Sequence, residues 1–109
     1  MVTVDIIAAV ICFQSMCYPA LIGPDTPPGT FKLEQLIVKS PRGYGGDVLV
    51  FKETERDIFA VHRTWPGREK KYDLEPSRRR LITLGCINVE PHVYEELLKC
   101  CVGATLQIK

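Results

Sequence analysis

Short apolar runs separated by clusters of glycine, proline and charged residues dominate this chain, a pattern that predicts strands and turns more than helices. Residues 3–22 read as a β-hairpin: "TVDIIAAVICF", a turn near Gln14, then "CYPALIG". "PDTPPGTF" follows, a stiff turn holding three prolines, a glycine and an aspartate. Phe31 and Leu33 alternate with Lys32 and Glu34, which marks a strand. "SPRGYGGD" is a second glycine-rich loop. "VLVF" (48–51) and "IFAV" (58–61) form a further hairpin around the charged turn "KETERD". Residues 63–80 show neither a strand nor a helix period. Irregular stretches of that length in small domains are often lids or binding loops, the alternative being a solvated surface connection. "ITLGCINV" resumes the strand pattern. Pro91 then opens a helix over about 91–102, with Val93, Tyr94, Leu97, Leu98 and Cys101 on its apolar face and Gly103 to end it. "TLQIK" closes with an alternating strand. The expected architecture is mostly β, with one helix in the C-terminal half packed on the sheets.

Composition narrows the function more than the fold. At 109 residues and 46% hydrophobic, the chain is expected to be a single domain, 1–109, with one core. A net charge of +1 gives no reason to expect a nucleic-acid partner. No run of 18 apolar residues is present, so membrane insertion is not expected. "IIAAVICF" could be the centre of a signal peptide. However, Asp5 precedes it, no Lys or Arg does, and no small-x-small cleavage site follows. The expectation is a buried strand in a mature domain. Within residues 63–80, seven basic residues outnumber three acidic ones, so this loop carries a local positive excess.

Five cysteines are many for a reduced compartment and few for a disulfide scaffold. If Gln14 and Ser15 form a two-residue turn, Cys12 and Cys17 oppose each other within disulfide reach. The alternative is two small buried apolar side chains. Cys100 and Cys101 are expected to pack as helix side chains.

Cys86 is different. A glycine weakens a strand, yet Gly85 stands directly before this cysteine, and Asn88 stands two residues after it. His62 ends the "IFAV" strand at the mouth of the long loop. A cysteine and a histidine on neighbouring strands can meet, and an imidazole can take a thiol proton or hold the thiolate. Amides around Cys86 can then serve as oxyanion donors. The alternative is a buried thiol and a histidine with only a local hydrogen bond. A zinc site from these residues and His92 lacks paired close ligand spacings, so no metal is expected. Trp65, in "RTWPG", either walls a cleft or caps the core.

"TPPGTF" taken with "AVH" and "TLGCINV" resembles the L,D-transpeptidase catalytic domain of bacterial cell-wall enzymes, from about Ala20 to the end of the chain. The family's TP-x-G-x-F turn is matched by Thr26, Pro27, Gly29 and Phe31. Its catalytic histidine is matched by His62, and its signature by Thr83, Leu84, Gly85, Cys86, Ile87 and Asn88. The resemblance implies a β-sandwich with a short helix. It implies a Cys86 thioester with a peptidoglycan tetrapeptide stem, resolved by the amine of a second stem or by water. His62 would be the base, oriented by the backbone carbonyl of Arg63, and the amides of Gly85 and Cys86 would hold the oxyanion. Thr83, Leu84 and Asn88 would contact substrate. Beside the resemblance, the loop's own charge and aromatic residues predict a lid over residues 63–80, with Trp65 and Tyr72 covering the stem peptide and at least one of Arg63, Arg68 and Arg78 to Arg80 reading the donor carboxylate bidentately. No cofactor is implied; the expected partner is the stem peptide, the expected state a monomer and the expected place the periplasm or cell envelope. The chain departs from the family at Leu84, where a second histidine is usual. Its segment before Ala20 is also shorter, and its spacing from His62 to Cys86 is long.

Overall fold

A computed structural model of the protein describes residues 1–39 and 44–109. The first residues of the second glycine-rich loop, 40–43, lie outside the described residues. Two mixed sheets enclose the core. The first holds β1 (Val2–Asp5), β2 (Val10–Phe13), β3 (Met16–Pro19), β4 (Gly29–Lys32) and β9 (Thr105–Ile108) in the order β3-β2-β1-β9-β4. The second holds β5 (Glu34–Ile37), β6 (Asp47–Glu53), β7 (Ile58–Arg63) and β8 (Ile87–Val89) in that order. The pairs β1–β9 and β7–β8 are parallel, and every other pair is antiparallel. Inward side chains of both sheets, among them Val4, Ile11, Leu106, Leu49, Val61 and Ile87, form one buried cluster. Helix α2 (Pro91–Cys100) adds Val93, Tyr94 and Leu97 to it. This is the mostly β fold that the alternation predicts, in the two-sheet sandwich that the resemblance implies.

Three stretches fold differently from expectation, each for a local reason. Residues 3–13 are two strands, because the Asp5 carboxylate accepts the Ala8 N–H at 3.0 Å and Ala9 takes φ 51°, closing a turn between β1 and β2. Only the second half of the expected hairpin forms as read. Gln14 and Ser15 have φ 50° and 64°, the double positive φ of a two-residue hairpin turn, and Cys12 pairs with Cys17 in a disulfide. The strand expected through Phe31 and Leu33 splits at Leu33: β4 joins the first sheet and β5 the second. In "ITLGCINV" only Ile87–Val89 is strand. The amides of Ile82 and Thr83 both donate to the Ile22 carbonyl, at 3.0 and 3.1 Å, so this segment crosses residues 22 and 23 and joins no ladder there.

The loop 63–80 is also more ordered than its sequence suggests. It contains a 3₁₀ turn (Glu69–Asp73) and the short helix α1 (Pro76–Arg79), so the described residues hold two α-helices, not one. Arg79 is buried and donates to the carbonyls of Ala8, Ala9 and Leu74, which ties the loop to the β1–β2 turn. Cys100 and Cys101 do not merely pack as helix side chains; they form a disulfide between adjacent residues at the end of α2.

Candidate active site

Cys86, the one cysteine outside a disulfide, lies just before β8 beside the backbone of β7. Its Sγ donates to the Ile58 carbonyl at 3.7 Å. Around it opens a cleft of about 550 Å³. His62, Thr83, Leu84, Gly85, Asn88 and Trp65 line the cleft together with Cys86. Burial pushes the Cys86 thiol up; a hydrogen bond from the Ala60 amide and the charge of Arg68 offset this only in part. Cys86 therefore rests as a thiol at neutral pH.

His62 follows from β7's pairing. The parallel register sets His62 opposite Asn88, and both are buried. The imidazole Nδ1 stands 2.8 Å from the Arg63 carbonyl oxygen. Its Nε2 meets the Asn88 side-chain amide nitrogen at 3.2 Å. Burial holds His62 below the ordinary imidazole range; the Arg63 carbonyl opposes that shift and the charge of Arg68 adds to it. A direct thiol–imidazole hydrogen bond, expected from the sequence, is not formed: Asn88 occupies the nitrogen that would receive it. The two groups share the cleft as a neutral pair.

The loop carrying the cysteine is held from below. Thr26, buried in the proline-rich turn, donates its hydroxyl to the Gly85 carbonyl at 2.9 Å and accepts the Gly23 amide at 3.0 Å. Thr83 donates to the Cys86 carbonyl at 2.6 Å and accepts the Gly85 amide at 3.1 Å. Thr83 thus shapes the loop from within. The Gly85 N–H is consumed there, so it is not a free oxyanion donor. Of the two amides expected in that role, only that of Cys86 lacks a side-chain acceptor among the described residues. Gly85 itself is required by space. A Cβ there would stand 2.5 Å from Cε1 of Phe59.

The loop residues divide. Trp65 lines the cleft, edge-on to Tyr44 at 5.4 Å between ring centroids, and Tyr44 in turn stands 4.8 Å from the His62 ring. Tyr72 does not reach the cleft. It is buried and its hydroxyl bonds to Thr64, because packing the loop down uses its ring as core. The Arg63 side chain also points elsewhere. It pairs with Asp47 and Glu95, both at 2.7 Å, and covers the Tyr94 ring at 4.3 Å. Burial pushes Asp47 upward, but hydrogen bonds from Arg63, Gln35 and Tyr94 outweigh it and hold the carboxyl below its usual range. Arg68 alone of the loop's basic residues lines the cleft. Leu84 projects at its mouth, 89% exposed.

Sequence reasoning missed Tyr44, Asp25, Asp57 and Phe59 as lining residues. Tyr44, alone among glycines in "RGYGG", was the one with a visible signal: a bulky ring where the chain otherwise avoids side chains. Among the described residues, no three His, Cys, Asp or Glu are grouped to share a metal ion. No helix among them is long and apolar enough to cross a membrane.

The architecture is that of the L,D-transpeptidases. An L,D-transpeptidase from Mycobacterium smegmatis matches with a TM-score of 0.63 and 21% identity, over 99% of this chain and 57% of that one. L,D-transpeptidase 1 of Mycobacterium tuberculosis matches at 0.60 and 17%, over 99% of this chain and 60% of that one. An L,D-transpeptidase from Stackebrandtia nassauensis matches at 0.58 and 16%, over 99% and 54%. The chain thus spans a little over half the length of these structures. No protein-family model matches it, and no curated protein matches it by sequence.

Proposed function

We propose that this chain is a cysteine acyltransferase of the L,D-transpeptidase type, acting on peptidoglycan stem peptides in the cell envelope as a monomer. One observation carries this reading: within that fold, a free thiol and a buried neutral imidazole share one cleft, and the imidazole Nδ1 is fixed on the Arg63 carbonyl. With Nδ1–H donated there, Nε2 is the ring's acceptor. In the first half-reaction Cys86 Sγ attacks the stem carbonyl and its proton passes to Nε2. The Cys86 amide takes the oxyanion. The C–N bond to the terminal D-amino acid breaks, and the imidazolium returns the proton to that leaving amine. An amine of a second stem, or water, then attacks the thioester, gives its proton to Nε2 and releases the thiol. Because both partners start neutral, proton transfer accompanies attack.

Incubation with purified muropeptides, with products read by mass, tests this. The expected products lack the terminal D-residue or are cross-linked, and Cys86→Ala yields neither while keeping its fold. Turnover by Cys86→Ala sinks the reading. A second reading, a homologue that binds wall peptide or a protein partner without turnover, is favoured by Leu84 in the usual histidine position and by the raised thiol. Iodoacetamide separates the two. With a stem-peptide fragment such as N-acetyl-D-alanine present, an assisted thiol reacts near neutral pH much faster than an inert buried one.

A further inference from the structure

Arg68 is the only Arg or Lys lining the cleft among the described residues, and it makes no ion pair with any of their carboxylates. Its guanidinium lies 5.1 Å from the centre of the Trp65 ring, and Nη1 donates to Asn88 Oδ1 at 3.0 Å. That bond uses one of five N–H donors. No other Arg68 donor finds a partner among the described residues. Its charge lowers the proton affinity of Tyr44, His62, Tyr72 and Cys86, as an uncompensated cation does. A planar fork stacked on an indole, half-buried and without a counter-ion, fits a carboxylate held by two parallel hydrogen bonds.

The same guanidinium fixes the polarity of a hydrogen-bond chain. Arginine can only donate. Asn88 therefore turns Oδ1 to Arg68 and Nδ2–H to His62, and Nε2 must accept. In that state Nε2 has its lone pair occupied and cannot take the thiol proton. Flipping the Asn88 amide would set its NH₂ against the guanidinium, donor against donor. Asn88 is a latch on the base, and Arg68 holds the latch shut.

We propose that Arg68 receives the carboxylate of the stem peptide, and that in doing so it lets go of Asn88 and frees Nε2 of His62 for the thiol proton. This rests on the reading of the cleft as an acyltransferase site. It makes Arg68 a specificity residue and Asn88 a positioning residue. The base then becomes available only when a substrate with the right terminus is seated.

The test reads Cys86 alkylation at low ionic strength, where exposed charges are least screened. The rate ratio of iodoacetate to iodoacetamide is compared with the same ratio on the urea-unfolded chain. The native ratio is expected to exceed it by about tenfold, the scale of one charge-assisted hydrogen bond. N-acetyl-D-alanine, below the concentration that blocks the cleft, should accelerate alkylation by neutral iodoacetamide, and its uncharged amide should not. Arg68→Ala should lose both effects. Asn88→Ala should keep the iodoacetate preference and lose the acceleration. Equal native and unfolded ratios, or no acceleration in the wild-type protein, overturns the proposal, as does survival of both effects in Arg68→Ala. If both effects appear while muropeptides are not turned over, the acyltransferase reading fails and the latch stands.

Discussion

Replacing Gly85 by alanine tests how tightly the nucleophile loop is fitted. The added Cβ would stand 2.5 Å from Cε1 and 3.0 Å from Cδ1 of Phe59, and 3.5 Å from the Asp25 carbonyl carbon. Non-bonded carbons rest at about 3.5–4.0 Å, so ring or loop must retreat by about 1 Å. Neither moves freely. The Phe59 ring is backed by Phe51 at 6.3 Å, which is itself backed by Phe31 at 5.3 Å. The loop is tethered by the bond from Thr26 to the Gly85 carbonyl. Overpacking of this kind costs about 1–3 kcal/mol. For a chain near this size, each kcal/mol lowers Tm by roughly 4 °C or more. Urea denaturation with an unchanged m-value should show the loss. The decisive measurement is a double-mutant cycle with Phe59→Leu, whose smaller side chain vacates the position of the ring edge. In that background Gly85→Ala should cost at least about 1 kcal/mol less. A Gly85→Ala cost below about 0.5 kcal/mol, or the same cost in both backgrounds, refutes the steric account.

Three further outcomes follow from the geometry. Burial depresses the His62 pKa, so below about pH 6.5 the unfolded chain binds more protons than the folded one. Stability should thus be complete above about pH 6.5 and fall as pH drops toward the depressed value, by at most about 1.4 kcal/mol per unit. His62→Gln should flatten that slope, and equal slopes in the two proteins would disprove the assignment. Arg63→Ala strips Asp47 and Glu95 of their partner and Tyr94 of its cover, and should cost about 1.5–3 kcal/mol in urea denaturation. A loss under about 0.5 kcal/mol would show the cluster to be incidental. Replacing both Cys12 and Cys17 by serine opens a ring closed across five positions and should cost about 2 kcal/mol; an unchanged denaturation midpoint would contradict this.

Local signals carried the readable part of the fold. The Gln14–Ser15 turn, the hairpin from "VLVF" to "IFAV" and the proline-led helix each depend on residues close in sequence. The misread stretches depend on distant partners. Ile82 and Thr83 have strand-like side chains, but their amides answer to the Ile22 carbonyl. Arg79 sits in a run of three arginines that reads as solvated, yet the carbonyls of Ala8 and Ala9 draw it inside. In the site, the glycine before Cys86 was visible as an anomaly, but its cause, the Phe59 ring, lies on another strand. The order of the motifs brought His62, Cys86 and Asn88 to attention. No periodicity could show that the Asn88 amide would occupy Nε2 of the base.

The position of β9 has a consequence for how this protein is made. That strand lies inside the first sheet, between β1 and β4, and roughly a hundred residues separate Val2 from its partner Leu106. During synthesis β1 can pair with β2 early, but its other edge must wait for roughly a hundred further residues to emerge. At ribosomal speeds of about 5–20 residues per second, that wait is on the order of 5–20 seconds. Throughout it, a nascent chain displays an unpaired strand edge beside apolar side chains such as Val2 and Val4, the form in which chains stick to one another. The yield of soluble protein should therefore depend on translation rate and on what shields that edge in the interval, more than on the stability of the finished domain.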